Sequence, residues 1–84
     1  MSYSVKIKGS AQKALAKIAR HDRLRLIAAI DRLAVEPLAG SPLKGEFGGL
    51  RRVRVGDYRI VYEVVQDQLV ILVVRVGQRG DVYR

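Results

Sequence analysis

Eighty-four residues are enough for one small domain spanning 1–84 and exclude a separate substrate domain. Sixteen Lys and Arg against eight Asp and Glu leave a formal net charge of +8, a field that draws nucleic acid, an anionic membrane or an acidic protein. The absence of cysteine excludes a disulfide framework, a thiolate metal site and a thiol nucleophile, and one histidine among scattered carboxylates draws no metal cluster, so no metal cofactor is expected.

From the N-terminus, Ser2 to Lys8 alternates Tyr3, Val5 and Ile7 with Ser4, Lys6 and Lys8, the period of a half-buried strand. Gly9 and Ser10 interrupt it, and the Ser10 hydroxyl is placed to cap a following helix. In that helix Ala11, Ala14, Leu15, Ile18 and Ala19 recur at three- and four-residue spacing, with Lys13, Lys17 and Arg20 turned to solvent. His21-Asp22 reads as a joint, His21 capping or solvated and Asp22 capping a second helix. There Leu26, Ile27, Ile30, Leu33 and Ala34 form the apolar stripe and Arg25, Asp31 and Arg32 stay outside. Glu36-Pro37 ends it, because a residue before proline is pushed out of the α region. The tight joint predicts an antiparallel helical hairpin. Leu38 to Gly49, rich in Gly and Pro, reads as a long loop.

Three β-rich runs complete the chain: Leu50 to Val55, Tyr58 to Val65 and Leu69 to Val76, broken by Gly56-Asp57 and Gln66-Asp67-Gln68. Breaks this short join only antiparallel neighbours, so the runs form a meander. The third run is apolar at both parities, which places it inside the sheet with both faces largely covered. Gly77 to Gly80 then releases a tail, Asp81 to Arg84. The expected fold is α+β in the order β-α-α-β-β-β, a helical hairpin packed on one face of a small antiparallel sheet. No run approaches the ~20 apolar residues that span a bilayer, so the expectation is a soluble, cytoplasmic protein without a membrane partner.

Parity then sorts the arginines. If Val53 and Val55 face the helices, Arg52 and Arg54 stand on the open face and Arg51 does not. On the next strand the larger apolar set, Tyr58, Ile60, Tyr62 and Val64, goes to the core and leaves Arg59 beside them. Three guanidiniums on adjacent strands hold a phosphate through charge-assisted, often bidentate bonds. Arg79 and Tyr83 join them if the tail folds back, adding a cation and a ring on which a base can stack, which is minimal equipment for single-stranded RNA. Lys44, Arg51, Arg75 and Arg84 are further candidates for phosphate or RNA contacts. Glu46 and Glu63 are potential proton acceptors whose default is a solvated carboxylate. The Gly45 to Gly49 stretch is followed by a strand, not a helix, and is no nucleotide cradle.

The motifs Pro42-Leu43-Lys44-Gly45, LRRVRVGDYRIVY from Leu50 to Tyr62 and VGQRGDVY from Val76 to Tyr83, in this order and spacing, resemble the bacterial RelE/ParE toxin superfamily over nearly all of the chain. The resemblance implies the toxin of a type II toxin–antitoxin system with a cognate antitoxin, which carries the complex to its operator DNA. The RelE branch cleaves messenger RNA in the ribosomal A site, so ribosome and mRNA are implied partners; the ParE branch poisons gyrase. The RelE pattern falls on Arg52, Arg54, Arg59, Arg79 and Tyr83, which are the implied catalytic residues. Relatives typically carry lysine at the two strand positions, and histidine where this chain has Gln78 or Val82. Arginine keeps the charge and is a reluctant proton shuttle. A ParE-like gyrase inhibitor and a non-catalytic basic nucleic-acid-binding module remain the alternatives.

Overall fold

The computed structural model describes residues 2–43 and 49–78. The elements run β1 (Ser4–Ile7), α1 (Gly9–Lys17), α2 (Arg20–Leu33), β2 (Ser41–Pro42), β3 (Leu50–Val55), β4 (Tyr58–Val65), a 3-10 turn (Gln66–Gln68) and β5 (Val70–Gln78). Two helices pack on one face of a five-stranded sheet in the order β1-β5-β4-β3-β2. The sheet is mixed, a departure from the antiparallel expectation: β1 lies parallel to β5, with Ser4 opposite Val70 and Ile7 opposite Val73. Short connections fix the direction of neighbours in the meander but say nothing of β1, which meets its partner across most of the chain.

The core takes Ala11 and Leu15 from α1, Leu26, Ile30 and Leu33 from α2, and Ile60, Tyr62, Ile71, Val73 and Val76 from the sheet. Burying a Leu or Ile side chain contributes about 1.5–3 kcal/mol, so these few side chains dominate the stability of the domain. Ile27 is not among them. It remains 38% exposed, one residue and so about a quarter-turn from Leu26.

The helix ends depart from expectation by a few residues. Lys8 holds the N-cap position of α1, Ser10 lies inside the helix, and Gln12 Nε2 donates to the Ile7 carbonyl at 2.8 Å. The joint falls at Ile18 and Ala19, both extended, so His21 and Asp22 belong to α2, where the Asp22 carboxylate sits in the positive first turn. The helix ends at Leu33, ahead of Glu36-Pro37. Within the expected loop, Ser41 and Pro42 form a short edge strand against Arg52 and Arg51.

Val55 pairs with Tyr58 across a two-residue turn in which Gly56 takes φ +60°, a conformation glycine adopts without cost. The other short connection closes on Leu69, at φ 53°, so β5 begins one residue later than the sequence pattern indicates and runs on to Gln78. Between β4 and β5 the register slips: Val61 faces Arg75 and Tyr62 faces Val73, which leaves Val74 as a bulge. Ile71 and Val73 before the bulge and Val76 after it all reach the core. An uninterrupted strand cannot do this, since its odd and even residues point apart. The apolar character of both parities therefore records the bulge as well as the central position of β5.

Candidate nucleic-acid interface

With Val53, Val55, Tyr58, Ile60 and Tyr62 packed under the helices, the alternate residues of β3 and β4 fall on the opposite face. Two rows cross the strands there. In one, Arg54 pairs with Arg59 and Arg59 with Gly77; in the other, Arg52 pairs with Val61 and Val61 with Arg75. The expected trio of Arg52, Arg54 and Arg59 is thus brought onto one face. Arg75 joins it because the Val74 bulge turns the strand over.

Residues flanking a two-residue turn form a hydrogen-bonded pair, so Arg54 and Arg59 make the next pair, of the closer, non-hydrogen-bonded kind. The bond from Leu43 N–H to the Leu50 carbonyl, 2.9 Å, agrees, since it shows that the even residues of β3 turn their backbone groups toward β2. Two like charges directly opposite each other destabilise a sheet. Arg59 adds a second cost, since it keeps only 9% of its accessible surface and its guanidinium has lost much of its hydration. An anion lying across the pair would lower both costs. Arg54 and Arg75 are exposed, Arg52 is half-buried, and Val61 between Arg52 and Arg75 is an apolar floor at 2% exposure. Glu63, two residues beyond Val61, is the single carboxylate on this face among the described residues of β3, β4 and β5.

Arg51 is engaged elsewhere. It shares the helix-facing parity, pairs with Tyr62, and donates from Nε and Nη2 to the Gly40 carbonyl at 3.1 and 2.7 Å and from Nη2 to the Leu38 carbonyl at 3.3 Å. The Tyr62 hydroxyl accepts from the Gly40 N–H at 3.0 Å and donates to the Pro37 carbonyl at 2.8 Å. One cross-strand pair of side chains therefore holds both polar groups of Gly40 and seats the chain that enters β2. A cleft of about 340 Å³ lies beside it, lined by Ser41, Arg52 and Arg54 among others. His21 lies exposed on α2. Lys44, Glu46, Arg79, Tyr83 and Arg84 lie outside the described residues.

Val61 and Gly77 complete the rows and carry no charge, so nothing in their residue type marked them. Their signal was positional: each falls opposite an arginine once the register is known.

Residues 5–83 match the family model of the ParE toxin of the type II toxin–antitoxin system parDE. The chain belongs to the RelE/ParE superfamily. This RelE/ParE toxin is 32% identical over 90 aligned positions to Toxin RelG of Mycobacterium tuberculosis (strain ATCC 25618 / H37Rv), an alignment that covers 100% of the chain and 99% of that protein. Its fold is similar to the toxin–antitoxin complex RelBE2 of Mycobacterium tuberculosis, with a TM-score of 0.88 and 27% identity over 94% of this chain and 100% of that one. It is also similar to the archaeal RelE–RelB complex of Pyrococcus horikoshii OT3, with a TM-score of 0.80 and 33% identity over 96% and 99% of the two chains. The mixed five-stranded sheet with two helices on one face is thus the fold of RelE toxins.

Proposed function

We propose that this toxin is a ribosome-dependent endoribonuclease that cuts messenger RNA in the A site and so stops translation. The observation that carries the proposal is the opposed pair Arg54 and Arg59, one exposed and one buried, flanked by Arg52 and Arg75 on a single sheet face. Such a face suits a phosphodiester whose charge grows during reaction.

In the reaction, the ribose O2′ forms a bond to the adjacent phosphorus and loses its proton. The bond from phosphorus to O5′ breaks, and O5′ takes up a proton, leaving a cyclic phosphate and a free 5′-hydroxyl. Arg59 and Arg79 stabilise the pentacoordinate phosphorane, and Arg52 and Arg54 hold phosphate or leaving-group oxygen. Tyr83 stacks on a base or takes part in proton transfer. Guanidinium charge supplies the electrostatics without a metal ion, while the ribosome aligns the strand, a contribution worth many powers of ten in rate. The cognate antitoxin, by an acidic and apolar segment, covers the basic face or displaces the tail in the cytoplasm, and operator DNA is bound only through that complex.

Purified ribosomes programmed with a defined messenger test the reading, with 5′ ends mapped by primer extension. Cleavage within the A-site codon is expected from the unaltered protein. Arg59→Ala should lower the rate by at least about a hundredfold, the effect of removing one donor from a charged transition state. A folded Arg59→Ala protein that cuts at the original rate refutes the assignment. A second reading, a gyrase inhibitor, is favoured by the match to a ParE family model. It predicts an intact messenger and loss of supercoiling activity when the protein is added to gyrase. If neither assay responds while the protein still binds RNA, it is a non-catalytic binding module.

A further inference from the structure

β1 covers β5 only from Val70 to Val73, and the chain then turns away at Lys8 into α1. The Lys8 N–H donates to the Val73 carbonyl at 2.9 Å, which pins the start of α1 against β5. Beyond that point a cleft of about 310 Å³ opens between α1 and the second half of β5, with Lys8, Ser10, Arg75 and Gly77 in its lining. Gly77 is the residue opposite Arg59. The row of Arg54, Arg59 and Gly77 therefore ends at the edge of β5 that borders this cleft, where the helix-side residues Ala11 and Val76 also line it. Its described lining residues include two cations, a hydroxyl and no carboxylate. The first turn of α1 holds no acidic residue either.

We infer that the cleft is a second phosphate subsite, at which Lys8, Arg75 and Ser10 hold a phosphodiester of the same RNA strand that lies across Arg54 and Arg59. The inference rests on the RNA reading given above and adds to it a direction: the strand crosses the sheet at right angles to the β-strands, from β3 toward α1. At about 4.8 Å between strands, the cleft lies about 10 Å from Arg59, a few nucleotides along. Lys8 shows no sign of this in the sequence, where it is one of several lysines on the solvated side of a strand.

The test is binding of a single-stranded 2′-O-methyl oligoribonucleotide, which the protein cannot cut, across a range of salt. Lys8→Gln and Arg75→Gln are each expected to weaken binding several-fold and to reduce the slope of log affinity against log salt by about 0.7, the value for one phosphate contact on a single strand. Lys13→Gln, on the same helix and outside the cleft, is the control for net charge. Shortening the oligonucleotide stepwise should abolish the effect of Lys8→Gln while that of Arg54→Gln persists. Equal losses in Lys8→Gln and Lys13→Gln overturn the inference, as does a Lys8 effect that survives in a dinucleotide. A Lys8 effect seen only on ribosomes overturns it too, since the phosphate then belongs to ribosomal RNA. An unaltered protein that fails to bind the oligonucleotide also overturns it, while the cleavage assay decides the RNase reading independently.

Discussion

Tyr62 is fully enclosed, and its hydroxyl serves two backbone groups at once, the Gly40 N–H and the Pro37 carbonyl. Tyr62→Phe leaves both buried without that partner, so a loss of about 1–3 kcal/mol is expected in a urea titration. A midpoint equal to that of the unaltered protein would show that water replaces the hydroxyl. Parity in the sequence already assigns Tyr62 to the core, because it shares a face with Tyr58 and Ile60. Its partners were not legible there, since they lie 22 and 25 residues away in a segment with no periodicity. Arg51 teaches the same lesson with the opposite sign. Its charge groups it with the phosphate candidates, whereas its parity directs the guanidinium to carbonyls of that same segment. Where charge and parity disagree, parity describes the position of the side chain.

For whole elements, the strands of the meander were legible because their connections are short and their apolar residues alternate. The edge strand β2 was not, because two residues carry no period and one of them is proline. What seats β2 is contact. A Cβ on Gly40 would collide with the carbonyl of Arg52 and come within 2.8 Å of the Tyr62 hydroxyl, so only glycine allows the chain so close to β3. Gly40→Ala should therefore lift β2 from β3 at a cost of about 1–3 kcal/mol, as overpacking does elsewhere. Amide exchange at Ser41 and Arg52 reads this directly, and unchanged protection at both would refute it. The helix boundaries were misplaced for a related reason: Ser10 and Asp22 are good capping types, but the extended backbone at Lys8 and Ala19 decides where each helix begins.

In the molecule as a whole, the sheet separates two tasks. One face carries the helices and the core, and the other gathers Arg52, Arg54, Arg59 and Arg75. If those four each meet one phosphate of a single strand, affinity should fall roughly fifty-fold between 50 and 200 mM salt. Fluorescence anisotropy with a labelled oligonucleotide measures it, and a flat response would mean that the arginines of this face do not meet phosphate. Apart from β2, the order of elements was visible in the sequence, as was the placing of Arg52, Arg54 and Arg59 on this face. The bulge that adds Arg75 and the parallel pairing of β1 were not, because neither a register slip nor the direction of a strand has a residue signature.

The extra residue at Val74 behaves like a shift of reading frame within a strand. Upstream of it the odd positions of β5 belong to the core, and downstream the even ones do. Any residue-by-residue transfer of roles between this chain and another RelE/ParE toxin must therefore count the two halves of β5 separately. A single gap placed on the wrong side of Val74 would exchange a surface cation for a core valine.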